Sequence, residues 1–472
     1  MLTTLLRDSR ALAALAVPLI LTQLAQVALT TTDTVMMGLL GTRELAAGGL
    51  AIVIFNQLRT MGVGLLTSVG NQIAAAAARA EQAATSDGKD KEAAGKGETQ
   101  EEVHRIIRAS MAVATLAGIA GGALMILIGQ ALTWLGQDAA VVERAQSMLI
   151  ALAPGLLPCL WFQAIRQFTV GMRRPQALLQ ITIASIAVNA GLNWILIHGT
   201  WGLPRLGLTG IGVATSSVYL LSFLALYISV RKDSELAPLL ALNAAKADPA
   251  TIKRLIGLGV PIAATYGSEA GFFSITALMA GSFGPAALAA HTAVNQLVYI
   301  VFQVAVGLSH AASINVSREL ALGRIDDARR IKNTALACAA AVMTVVGVAY
   351  LGLPRLVLAP FLYSGSDQAL SIATHLLMVT AFLQFFDCAQ NIGVGLLRGL
   401  DDTKGGFRIT LIGYWGVGLP VSWLLAYPLG LDTIGIWLGL LTGLATTAVL
   451  LLRRYSGSLT TRADAQHAVA SA

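Results

Sequence analysis

Thr380, Gln384, Asp387 and Asn391 recur at the three- and four-residue spacing of a helix inside an otherwise apolar stretch. That spacing stacks carboxylate and amide oxygens on one face, a donor set suited to a small hard cation, and the Asp387 carboxyl can equally carry a proton. A stripe that only joins helices by hydrogen bonds would look the same, so both readings stay open. Glu269 lies eight residues after Pro261, whose missing N–H frees a carbonyl one turn back and lets a helix bend toward a cavity. The alternative is a structural carboxyl bonded within its own bundle. Asp33 is a third acid in an apolar run, five residues before Gly38, where that run is expected to reach the membrane surface and headgroup water.

These acids stand out because of what must surround them. Of 472 residues, 56% are hydrophobic and only 12% charged, against about 25% charged in a soluble domain. Runs such as 11–32, 109–137, 206–230 and 433–452 reach the ~20 apolar residues of a membrane-spanning helix. An ionised group in the hydrocarbon costs at least about 2.5–3.5 kcal/mol on insertion scales, which marks an intramembrane acid as functional by default. Disorder and an outer-membrane barrel do not fit this composition. The net charge of +7 sits between apolar runs and follows a topology rule, so nucleic acid is not an expected partner. Cys159, Cys338 and Cys388 fall in apolar stretches without metal-like spacing and read as inert core thiols.

Twelve spans are expected, near 11–37, 46–76, 106–130, 141–168, 175–200, 207–230, 254–280, 286–313, 332–354, 368–397, 407–428 and 433–452. The first is too long for a signal peptide and reads as a retained helix. With both termini in the cytoplasm, that side receives 27 Lys and Arg residues, and the other face only Arg43, Arg144, Arg205 and Arg355. This asymmetry sets the orientation. Arg59 falls inside span two; it can snorkel, line a cavity or bind a carbonyl. It is not expected to pair with Asp33, because it lies about 20 Å inward from the outer surface and Asp33 about 8 Å.

The chain repeats itself. PLILTQLAQVALTTTDTVMMGLLGTRELAA (18–47) lies without gaps over PIAATYGSEAGFFSITALMAGSFGPAALAA (261–290), 243 positions on. Later the offset is 228, with Gly171 over Gly399 and Gly202 over Gly430, so the first half carries 15 extra residues. The polar segment 81–102 is the expected insertion, a flexible solvated linker in which a short charged helix is an alternative. The expected organisation is a six-helix bundle over 1–230, a cytoplasmic linker over 231–252, a second bundle over 253–455 and a cytoplasmic tail over 456–472. Six spans per half make the repeats parallel, an arrangement that favours a carrier whose substrate path lies between the bundles.

Further polar positions fall on these helices. Span five carries Thr182, Ser185, Asn189 and Asn193 on one face, either a lining or interhelical bonds. Span eight carries His291 and Asn295 four apart, and Gln296, Gln303 and His310 at seven-residue steps. Glu269 and Asp387 share a half, so one joint ion site there is the simplest arrangement. No HExxH, P-loop or nucleophile elbow appears, so neither enzyme chemistry nor ATP hydrolysis is expected and an ion gradient is the default energy source.

PLILTQLAQVALTTTDTVMMG, the repeated block ending ALAAH at 291, and FLQFFDCAQNIGVGLLRGLDDT (382–403) together resemble the multidrug and toxic compound extrusion (MATE) family over nearly the whole chain. Within it the chain is similar to the NorM-type branch, whose acids in spans one, seven and ten are matched by Asp33, Glu269 and Asp387. The branch with an Asp in span five fits less well, because this chain has Asn189 and Asn193 there.

The resemblance implies an all-α polytopic membrane protein of 12 transmembrane helices in two pseudo-symmetric six-helix bundles. It also implies export of bulky, often cationic drugs against inward Na+ or H+, with no cofactor beyond that ion. Asp33, Glu269 and Asp387 are then the coupling acids, with Na+ at Glu269 and Asp387, and Gln384, Asn391, Asn189, Asn193 and Asn295 support them. Tyr266, Phe272, Tyr299, Phe385 and Tyr414 are candidates to hold cargo between bundles. A monomer in a bacterial inner membrane is expected, with small-molecule drugs and lipid as partners. The competing readings are a lipid-linked precursor flippase, which would use several cavity cations where only Arg59 is on offer, and a non-transport membrane protein.

Overall fold

The structure, a computed structural model, describes residues 1–86, 89–136, 138–362 and 367–472, without the side chains of 86 and 89–94. Among the described residues every regular element is helical. The first half contributes α1 (Leu2–Leu40), α2 (Thr42–Ser86), α3 (Lys89–Ala131), α4 (Ala139–Gly171), α5 (Gln176–His198) and α6 (Leu208–Lys232). The second contributes α7 (Pro249–Gly281), α8 (Pro285–Ala321), α9 (Ile325–Gly352), α10 (Pro354–Leu362), α11 (Asp367–Gly399), α12 (Thr403–Leu411), α13 (Leu419–Ala426) and α14 (Asp432–Ala470). A π-helical turn over Ile412–Gly418 joins α12 to α13, so expected span eleven is one continuous but unevenly wound helix.

Among the described residues, eleven helical stretches are long and apolar enough to cross a membrane. The expected span seven corresponds to α7, which falls outside that set because Thr265, Tyr266, Ser268 and Glu269 interrupt its apolar centre. The twelve spans therefore all have a helix, and the least apolar one carries an acid.

Backbone geometry repeats with the sequence. Gly41 and Gly284, 243 apart, both have positive φ, at 131° and 109°. Arg173 and Asp401, 228 apart, are both left-handed at 60° and 61°, an uncommon conformation for non-glycine residues. Two halves with the same strained turn at the same register are copies of one design.

Packing divides the chain at other points than the linker. One compact unit is Leu21–Ala263, and the other joins Met1–Ile20 to Ala264–Ala472. Both divisions fall two residues after a proline inside a long helix, Pro18 in α1 and Pro261 in α7. The polar 231–252 segment thus marks where the copies join in sequence.

Three polar stretches differ from expectation. The segment 81–102 is helical on both sides of residues 87 and 88, which lie outside the described residues, since α2 runs to Ser86 and α3 starts at Lys89. Its Ala, Glu, Lys and Gln content favours helix as much as it favours solvation. The linker forms two 3-10 turns, Ala237–Leu239 and Ala244–Lys246, clasped to its own unit. Arg174 holds Asp233 at 3.0 Å and Glu235 at 2.5 Å, and Gln100 and His104 each reach the Pro238 carbonyl at 2.9 Å. The 456–472 tail continues α14. There Leu459 is buried and Gln466 reaches the Gly323 carbonyl, and just before the tail Tyr455 donates to the Ala328 carbonyl at 2.7 Å and Arg454 pairs with Asp402 at 2.5 Å.

Glycines set the closest helix contacts. On α14 a Cβ at Gly439 would stand 2.4 Å from the Ser422 Cα of α13. Between α8 and α11, Gly395 and Gly399 play the same part against Ser309 and Val316. The apolar core of the second-half unit, built on Phe272, Leu376, Tyr414 and Trp437, lies alongside.

Candidate cation sites

In the Leu21–Ala263 unit, Asp33 of α1 is only 5% exposed, not at an interface with water as expected. Its Oδ1 accepts from Asn189 Nδ2 at 2.7 Å and Asn193 Nδ2 at 2.9 Å, and its Oδ2 accepts from Thr215 Oγ1 at 2.9 Å. The four-residue spacing on α5 turns both amides to one side, and α6 supplies the hydroxyl. Hydrogen bonds to a charged group contribute about 1.5–3 kcal/mol each and offset part, but not all, of the cost of burying the carboxylate. The Oδ1 atoms of Asn189 and Asn193 are buried without a hydrogen-bond partner, leaving two more oxygens beside the acid. Thr182 and Ser185 are buried on the same α5 face, and Ser185 bonds Ser222 at 2.8 Å.

In the other unit α7 and α11 bring Glu269 and Asp387 close enough for their charges to interact. Gln390 Nε2 reaches Glu269 Oε1 at 3.5 Å, and Asn391 Nδ2 reaches Asp387 Oδ1 at 3.3 Å and Gln390 Oε1 at 3.3 Å. The two amides therefore bridge the two acids. The Tyr414 hydroxyl also bonds Glu269, from the π-helical turn, where unwinding redirects side chains. One residue along, Trp415 Nε1 donates to Ser268 Oγ at 2.8 Å and fixes α7 against that turn.

Other expected residues have different placements. Gln384 donates to the Met343 carbonyl of α9 at 2.9 Å, so this member of the α11 stripe does join helices, whereas Thr380 bonds the Leu376 carbonyl of its own helix. Among the described residues no hydrogen bond links Asn295 to either acid. His291 accepts from Trp437 Nε1 at 3.0 Å, as a core histidine does. Phe272 is fully buried and stacks on Tyr414, ring centres 5.0 Å apart, which puts both in the packing and not on a cargo surface. Tyr266 and Phe385 are half-buried and Tyr299 is exposed. Arg59 lies near Cys159 and Tyr219.

Sequence reasoning missed Thr215 and Gln390. Thr215 sits in a Thr-Ser-Ser run where small polar residues carry no distinctive period, and Gln390 is three residues past Asp387, a helical neighbour that the i, i+4 stripe passed over.

Among the described residues no group of three or more His, Cys, Asp or Glu could hold a metal ion. The two clusters instead combine one or two carboxylates with amide and hydroxyl oxygens, which suits Na+ or a proton better than a transition metal. None of the three carboxylates has a Lys or Arg partner among the described residues.

The MatE family matches residues 92–195 and 261–424 of this chain. A probable multidrug resistance protein NorM from Pseudomonas aeruginosa is 34% identical across 94% of this chain and 88% of its own length. One from Bradyrhizobium diazoefficiens is 36% identical across 93% and 91%. Among solved structures, the eukaryotic MATE transporter AtDTX14 superposes with a TM-score of 0.79 at 21% identity, covering 97% of this chain and 98% of that one. An outward-facing multidrug resistance MATE family transporter of the MOP superfamily gives 0.84 at 16% identity, covering 98% of each. The fold is common to all of them.

Proposed function

The chain belongs to the MatE family of multi-pass membrane transporters, and we propose that it is a secondary active antiporter exporting organic, often cationic compounds in exchange for Na+ or H+ by alternating access. The observation that carries this reading is that Asp33, Glu269 and Asp387 lie within long helices, held by amides and hydroxyls, with no basic side chain paired to them among the described residues. A buried carboxylate without a protein counter-ion is balanced by a mobile one.

Asp33 with Asn189, Asn193 and Thr215 forms one cation site, and Glu269 with Asp387, Gln390 and Asn391 the other. Cation or proton binding there favours one orientation of the carrier, drug binding favours the other, and coupling is competition through conformation. Tyr266, Tyr299 and Phe385 are the aromatic side chains available to cargo. The protein acts as a monomer in the bacterial inner membrane, with both termini in the cytoplasm.

The test is efflux of a fluorescent cationic drug from proteoliposomes under a Na+ gradient or a pH gradient imposed separately. Export follows one gradient and falls at least tenfold in Asp387→Asn. Efflux indifferent to both gradients, or an Asn variant as active as the parent, would overturn the reading.

A further inference from the structure

Arg398, in the last turn of α11, is 4% exposed. Its Nε has no hydrogen-bond partner, and among the described residues no carboxylate lies within ion-pair reach of it. Only Nε is orphaned, yet a guanidinium enclosed without a carboxylate beside it still gains less from burial than an apolar side chain would. Close packing maintains the burial: a Cβ at Gly399 would come within 2.7 Å of Val316 on α8, and Ser317 occupies the Gly399 carbonyl. The charge is therefore present for something other than stability.

Its position shows for what. Arg398 follows Asp387 by eleven residues, three helical turns, so both project from the same face of α11, about 16 Å apart along the axis. Asn391 lies on that face between them, bonded to Asp387. From α7, Tyr266 lies within electrostatic range of the guanidinium, three residues before Glu269. Polar groups thus run from the acid pair to Arg398, toward the helix end assigned above to the cytoplasm.

At the equivalent positions the first half has neither charge. The counterpart of Asp387 is Cys159 and that of Arg398 is Val170, each 228 positions earlier. The second half thus carries acid and cation on one helix, α11, whereas in the first half Asp33 lies on α1 and the buried Arg166 on α4.

We propose that Arg398 is a fixed counter-charge sealing the inner side of the Glu269 and Asp387 site, so that the coupling cation cannot pass to the cytoplasm unless drug is exchanged. A univalent cation at this distance from a fixed charge of like sign, in a protein interior, is disfavoured by about tenfold, and by much more as it approaches. The inference rests on the antiport reading and adds the residue that prevents slippage.

The experiment measures cation entry into drug-free proteoliposomes, with the driving gradient identified above, for the parent, Arg398→Met, Arg398→Lys, Asp387→Asn and the Arg398→Met/Asp387→Asn double variant. Arg398→Met is expected to melt no lower than the parent, to leak cation at least tenfold faster without drug, and to lose that leak in the double variant. Arg398→Lys, which keeps the charge, is expected to stay sealed. A folded Arg398→Met as tight as the parent, a leak that persists in the double variant, or a leaky Lys variant overturns the inference. Should the Met variant not fold, Arg398→Gln is judged by the same criteria. Drug exchange by the parent and its loss in Asp387→Asn, read in the same vesicles, report on the antiport reading independently.

Discussion

Asn189 Nδ2 stands 2.7 Å from Asp33 Oδ1, joining two residues 156 positions apart. With Asn193 and Thr215 it makes the acid the acceptor of three bonds, so the shape of the site depends on acceptor capacity as well as charge.

Two substitutions at Asp33 are therefore expected to differ. Asp33→Asn keeps an acceptor, and the rotatable Thr215 hydroxyl can turn to accept from the new amide, so the fold survives while gradient-driven efflux falls at least tenfold. Asp33→Leu strands three buried donors at about 1–3 kcal/mol each and is expected to lower the melting temperature markedly. Thermal unfolding in detergent beside vesicle efflux separates the two; a Leu variant as stable as the parent would contradict the geometry.

Glu269 and Asp387 are expected to behave as one unit. Because Gln390 and Asn391 bridge them, cation affinity should fall by nearly as much in Glu269→Gln or Asp387→Asn alone as in the pair. Trp415, bonded to Ser268 next to Glu269, is placed to report binding by its fluorescence, and Trp415→Phe is expected to remove most of that signal. Strictly additive losses would mean two separate sites.

A third expectation concerns one helix and two glycines. Gly439→Ala drives a methyl into the α13 backbone at 2.4 Å and is expected to destabilise by about 1–3 kcal/mol, while Gly457→Ala, with nothing within 4 Å, is expected to stabilise by about 0.5–1 kcal/mol through helix propensity. Melting shifts of opposite sign along α14 would confirm both. Equal shifts would refute the close α13–α14 contact.

Much of this was readable in advance where the signal is local. The apolar runs gave the spans, and the 243 and 228 offsets gave the repeat that Arg173 and Asp401 confirm in their backbone. The acids were legible because charge in an apolar run has no bland cause. Asn189, Asn193 and Asn391 were legible as supporting amides, but Thr215 was not, because it reaches Asp33 across 182 residues and no short-range pattern encodes that approach. Gln384 carried the same spacing as Asn391, yet it bonds α9 and not the acid, since periodicity fixes a face and leaves open which atom on the neighbouring helix receives it. Arg398 falls one residue past the expected end of span ten, where the sequence marks no burial, and packing encloses it.

The two clasps have opposite polarity. At equivalent turn positions, 228 apart, the first half has Arg174 gripping Asp233 and Glu235, and the second has Asp402 gripping Arg454. A duplicated chain risks assembling one copy's terminal segment on the other copy's turn while it is being made. Here such an error would leave both turns without an opposite charge, because the counterparts of Asp233, Glu235 and Arg454 at the 228 offset are Thr461, Ala463 and Leu226. Each turn is therefore satisfied only by the segment of its own half, and the two copies are told apart by where each finds its opposite charge.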